Sequence, residues 1–232
     1  ALTDGNGVNG AVIIRHALTN ANRANGATLK LQSGSGVVSI GGNIAGLTHL
    51  TLDSGSEMTI AGSISGTGGS LTKLNTNTLN LNGLASYTGL TTVTAGEVVF
   101  THNTVPSTSG FAGDGKVTVK PVTTFAAALS TNRYTYAPTL TGLTFGGTDN
   151  TAALNVNSDL VIAGPVSLTA GGISISNNID TRTGGVGGDV WLKSSADISL
   201  AASKFIKTAG GDVVLWSNSD GQSTNGGIFM FA

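Results

Sequence analysis

The stretch most suggestive of chemistry is Gly184-Gly185-Val186-Gly187-Gly188-Asp189-Val190-Trp191-Leu192, which fits the calcium-binding nonapeptide G-G-x-G-x-D-x-U-x. Such sites share each ion between successive turns and therefore need tandem copies. Residues 193–201 break the pattern, and the residues before it lack the glycines. Gly187-Gly188-Asp189 instead recurs 23 residues later as Gly210-Gly211-Asp212, so a repeated turn accounts for it and no metal is expected. The glycine clusters Gly34-Ser35-Gly36 and Gly66-Thr67-Gly68-Gly69 lack a following Gly-Lys-Ser/Thr and a following helix, so they read as turns rather than phosphate loops. His16, His49 and His102 are dispersed, whereas a zinc site needs partners at fixed offsets. His49 should face solvent if Leu50 and Leu52 point inward. No Gly-x-Ser-x-Gly nucleophile context occurs. Glycoside hydrolysis needs two carboxylates in one cleft. The 12 acids mostly occupy Gly/Asn/Ser turn contexts (Asp4, Asp53, Asp114, Asp189, Asp212, Asp220). Asp180-Thr181-Arg182 is the densest polar pair and could line a groove, but a surface pair contributes little. This leaves no catalytic, cofactor-binding or metal residue. Trp191 and Trp216 remain as ligand or partner contacts, because exposed aromatics on one face can stack on sugar rings or on a protein surface.

Composition limits the scaffold that could carry such contacts. Of 232 residues, 35 are Gly, 32 Thr, 23 Ser and 19 Asn, while only two are Glu and none is Cys. Helix formers are scarce and turn and strand formers abundant. Disulfide frameworks and thiolate metal sites are excluded. The net charge is -1 with 11 scattered basic residues, which argues against nucleic acid or anionic lipid as partner. Fully apolar runs reach only about five residues, far short of a membrane span, so no membrane insertion by this segment is expected. None of the asparagines lies in an N-x-Ser/Thr sequon. The chain starts at Ala1 without a charged-then-apolar leader, as a processed or fragmentary chain would.

Apolar-x-apolar triplets punctuate the sequence, among them Leu29/Leu31, Val38/Ile40, Leu50/Leu52, Leu79/Leu81, Leu154/Val156, Val166/Leu168, Val190/Leu192 and Val213/Leu215. Each puts two side chains on one face of a short strand. Residues 187–194 recur as 210–217, Asp197 and Asp220 keep the same offset, and Leu29, Leu50 and Leu71 stand 21 residues apart. A period of 21–23 fits one coil of a parallel β-helix, in which like residues stack at about 4.8 Å. A lone coil cannot bury its inward face, but a stack of about ten can. Val190 and Val213 should then be vertical neighbours, with Trp191 and Trp216 both outward. Residues 101–153 are less regular, with three of the four prolines, and read either as a loop excursion or as imperfect coils with long turns. Residues 11–24 could be a helical cap or one more strand and turn. The apolar Ile228-Phe229-Met230-Phe231 would be awkward at a free end, so the natural chain is expected to continue or dock there.

Residues 68–98 carry a more specific pattern: Gly68-Gly69-Ser70-Leu71-Thr72-Lys73, then Thr78-Leu79-Asn80-Leu81-Asn82-Gly83, Tyr87-Thr88-Gly89, and Thr91-Thr92-Val93-Thr94-Ala95-Gly96-Glu97-Val98. This resembles the passenger-associated β-strand repeat of bacterial autotransporters, with Leu90 in place of a small residue and Asn75-Thr76-Asn77 in place of a Gly-rich turn. The Gly-Gly-Asp-Val repeats and Gly171-Gly172-Ile173-Ser174-Ile175 are similar to coils of filamentous haemagglutinin-like adhesins. The resemblance implies a right-handed β-helix in an exported bacterial surface protein, and brings no catalytic residue. The expectation is one all-β solenoid over 1–232: autotransporter-like coils over 1–100, irregular coils or an excursion over 101–153, and haemagglutinin-like coils over 154–232. Its expected role is a non-enzymatic stalk or adhesin, extracellular or on the cell surface. The partner would be a glycan or a host or neighbour-cell surface protein, with end-to-end self-association as a further contact. The rivals are a polysaccharide-active β-helix enzyme, an ice-binding solenoid and a self-stacking filament subunit.

Overall fold

The computed structural model describes residues 2–3, 10–19, 27–185, 187–221 and 226–231. It is an all-β solenoid of about nine turns with parallel sheets. Among the described residues the helical content is one 3₁₀ turn, Thr131–Arg133. Two compact units divide the chain, residues 1–118 and 119–232.

In the first unit each turn lays a strand on each of two main sheets, and a short third ladder runs through Leu18–Thr19, Ile44–Ala45, Ile64 and Ala85. One sheet contains Ala27–Ser33, Leu47–Ser54, Ser70–Lys73, Thr91–Val93 and Gly110–Ala112; the other contains Val12–Ile14, Val38–Ile40, Met58–Ile60, Thr78–Leu81 and Glu97–Thr101. The alternation of the sequence becomes vertical ladders. Leu29, Leu50 and Leu71 stack in register, as do Val38, Met58, Leu79 and Val98. Most of these side chains are fully buried, so each turn supplies the cover that its neighbour lacks. Residues 11–19 form the strands Val12–Ile14 and Leu18–Thr19, and residues 20–24 lie outside the described residues.

Corners are sharp because the stacked backbones nearly touch. A Cβ on Gly62 would lie 2.2 Å from the Gly42 carbonyl oxygen, and one on Gly83 would lie 2.3 Å from Gly62. A column of glycines is therefore required there. Serines finish other corners: buried Ser54 donates its hydroxyl to the Gly36 carbonyl, and buried Ser194 is within bonding distance of the Gly171 and Asp197 carbonyls. Among the described residues no buried side-chain nitrogen or oxygen lacks a partner.

In the second unit the turn has three short strands. The first sheet holds Gly142–Gly146, Val166–Ala170, Val190–Ser194 and Val213–Trp216. The second holds Leu129–Ser130, Leu154–Val156, Ile173–Ile175, Ile198–Leu200 and Ile228–Met230, and the third Leu160–Val161, Ile179–Asp180 and Ile206–Lys207. Val190 pairs with Val213 and Leu192 with Leu215. Two sequence expectations need correction. Partner spacing is wider than 21–23, running from 19 residues (Leu154 to Ile173) to 30 (Ile198 to Ile228), because the strands keep register while the turns absorb insertions. Asp197 does not stack on Asp220: its carboxylate accepts from the Gly227 backbone N–H at 2.9 Å. Val213 keeps the inward register yet is 45% exposed, since its strand is the last of its sheet and is covered from one side.

Within residues 101–153 the first unit has Phe111 packed 6.0 Å from Phe100. In the second unit Tyr134 stacks on Phe145 at 6.0 Å, and Tyr136 meets both rings edge-on. Burial pushes the Tyr134 hydroxyl up to about 12 and raises that of Tyr136 further, so both stay neutral. Buried Asn150 fastens this region: its Oδ1 accepts from the backbone N–H groups of Phe125 and Ala152, while Nδ2 donates to the Thr169 carbonyl.

Candidate binding surface

The outward face of the first sheet in the second unit is built by the same register that builds the core. Even-numbered steps along Val166–Ala170 and Val190–Ser194 that do not enter the core line up as columns: Thr144, Ser167, Trp191 and Val214 in one, Gly146, Thr169, Lys193 and Trp216 in the next. Trp191 and Trp216 therefore sit on one face, one rung and two residues apart, and are 49% and 51% exposed. The Lys193 ammonium lies 4.6 Å from the centre of the Trp216 ring, a cation–π contact across adjacent rungs. The result is an aromatic platform with one positive charge, bordered by the hydroxyls of Ser167 and Thr169. Such a surface can stack on the apolar face of a ring or on another protein's side chains.

The other sequence candidates are not brought to this platform. Asp180 and Arg182 form a bidentate pair, with Nε donating to Oδ1 at 2.8 Å; the guanidinium bonds hold the Asp180 carboxyl below its usual range. Asp189 and Asp212 follow the rung: the Asp212 backbone N–H donates to the Asp189 carboxylate at 2.9 Å. Gly184, Gly187 and Gly188 of the nonapeptide match serve stacking, while Gly185 turns the chain at a φ of +72°. A Cβ on Gly188 would lie 2.3 Å from the Gly164 carbonyl carbon, and one on Gly211 would lie 2.7 Å from that of Gly188. Val186, inside the match, lies outside the described residues. His49 is half-buried on the outward side, bonded to the Ser70 hydroxyl at 2.6 Å, and His102 Nδ1 accepts from the Thr104 backbone N–H. Among the described residues no group of three or more His, Asp or Glu side chains converges.

One residue that sequence reasoning passed over is Lys73. It occupies an inward position, in register between Leu52 and Val93, and is fully buried. Its ammonium donates to three carbonyls, of Leu74, Asn75 and Ala95, at 3.1, 2.5 and 2.8 Å. Burial pulls its pKa from 10.5 down to about 8. The signal was present in Leu71-Thr72-Lys73, whose period of two places Lys73 beside Leu71 on the core face.

Comparison with known proteins yields no matching family, no matching curated protein and no matching solved structure.

Proposed function

We propose that this chain is a non-enzymatic β-solenoid segment of an extracellular or surface-displayed bacterial protein, in the manner of autotransporter passengers and filamentous haemagglutinin-like adhesins, and that it presents an attachment surface for a glycan or a surface protein. The observation that carries this reading is the platform of Trp191 and Trp216, half exposed on one face with Lys193 between stacked rungs. Exposed tryptophans add little to folding, whereas buried against a partner they are the commonest energetic anchors. A stacked scaffold suits the role because it fixes contact groups at regular intervals without spending catalytic geometry.

The test is a binding screen of the purified protein against immobilised glycans and extracellular-matrix proteins, repeated with Trp191→Ala and Trp216→Ala. A ligand captured by the native chain and weakened at least about tenfold by either substitution, with an unchanged melting temperature, supports the reading. Capture that is indifferent to both substitutions removes the platform from the function. Turnover of a glycan substrate would replace adhesion with catalysis.

A further inference from the structure

The second sheet of the second unit has its own outward column, and a groove runs over it. Asn155, Ser174 and Ser199 stack in register on Leu154–Val156, Ile173–Ile175 and Ile198–Leu200. They floor an open groove of about 240 Å³ whose lining includes Gly172 and Asp197. Some outward polar side chains elsewhere are tied across rungs, as Asn80 is to Glu57, Thr118 to Glu97 and Asn177 to Asp159, while the column of Thr51, Thr72 and Thr92 makes no such bond among the described residues. Asn155, Ser174 and Ser199 are half-buried, yet none of the three side chains makes a hydrogen bond among the described residues. The groove thus offers an amide and two hydroxyls, each both donor and acceptor, at rung intervals of about 4.8 Å. Asp197 adds a carboxylate; its Oδ1 is held by the Gly227 backbone N–H and its Oδ2 stays available. The next residue in the column is Phe229, in register with Ser199 and 48% exposed, its ring folded over Gly227 beside Asp197.

We infer that this groove is a second binding site, and that it takes a short neutral saccharide. Three features select that ligand. A pyranose carries hydroxyls that donate and accept, which matches side chains that do both. The lining holds no Lys or Arg, so an anionic glycan finds no counter-charge, and the Asp197 carboxylate repels one. An extended peptide would bind by adding a strand, but the backbones of Leu154–Val156 and Ile173–Ile175 are already paired on both sides, leaving no edge in the groove floor. The volume lies below the ~300 Å³ of drug-sized pockets, so the site suits a few ring contacts of low affinity, strengthened by repetition. The inference stands apart from the tryptophan platform, which is on a different sheet.

The test uses the full chain, titrated with cellotetraose, chitotetraose and mannotetraose by calorimetry and by amide chemical-shift mapping. The proposal expects at least one to bind with millimolar or better affinity and to shift the amides around Asn155, Ser174 and Ser199. Asn155→Ala should weaken that binding about tenfold, and Ser174→Leu, which fills the groove floor from an outward strand position, should abolish it. Trp191→Ala with Trp216→Ala should leave it within about twofold. A circular dichroism melt of each variant confirms that the fold is kept. The proposal is overturned if none of the three saccharides binds, if Asn155→Ala and Ser174→Leu bind like the native chain, or if the tryptophan variants alone lose binding. That last result would leave the proposed attachment platform standing and remove the groove.

Discussion

Replacing Lys73 by Met separates the thermodynamics of the buried ammonium from its packing. In the unfolded chain the side chain titrates at its ordinary 10.5; in the folded protein burial lowers this to about 8, against the pull of three carbonyls that favour the charged form. Below pH 8 both states hold the proton, and the folded state bears the full cost of burying the charge. Between pH 8 and 10.5 the folded state releases the proton while the unfolded state retains it. The unfolded state then binds more protons, so stability rises with pH. From pH 7 to 9.5 the linkage relation gives a gain of about 2 kcal/mol from this one group. For a chain of this size that corresponds to a rise of about 4–8 °C in melting temperature. The window stops short of the ordinary tyrosine value of 10.0, above which the raised Tyr134 and Tyr136 would act in the opposite direction. The assay is differential scanning calorimetry of the native chain and Lys73→Met at several pH values across the window, reading the difference in slope. That difference cancels the other titrating groups and any constant cost of leaving the Leu74, Asn75 and Ala95 carbonyls without a donor. Parallel slopes, or a native chain that loses stability relative to Lys73→Met as pH rises, would refute the account of Lys73 as a charge held at a cost inside the coil.

Further expectations test the stacking itself. Leu168→Ala, in the fully buried ladder between Phe145 and Leu192, should cost about 2–5 kcal/mol, measured by urea denaturation. Gly188→Ala should disrupt its rung, since the new Cβ meets backbone at 2.3 Å, whereas Gly172→Ala, whose nearest contact is 3.9 Å, should be tolerated; hydrogen exchange at Val190 and Leu192 distinguishes the two. Asn150→Ala should destabilise by about 2–3 kcal/mol, because the Phe125 and Ala152 N–H groups and the Thr169 carbonyl lose their partner, and a melt with no shift would contradict that role.

Much of the coil was legible because period two is a local property. Leu29, Leu50 and Leu71, or Val190 and Val213, could be matched by counting, and the structure stacks them as counted. The outward placement of Trp191 and Trp216 followed from the same alternation. Counting failed where turn length varies. Asp220 keeps the spacing of the repeat, yet Gly227 occupies the place beside Asp197. The column of Asn155, Ser174 and Ser199 was invisible for the same reason: its members stand 19 and 25 residues apart.

The sequence by itself determined the repeating unit. Strand-forming triplets separated by Gly, Asn and Ser can bury their apolar positions only by piling one coil on another, whatever the detailed path of the turns. Only the tertiary structure decided which residues become vertical neighbours, because register is chosen by whole rungs fitting together while the loops between them stretch. That choice brings the Ala95 carbonyl to Lys73 from the following turn, and sets three unbonded polar side chains in one groove.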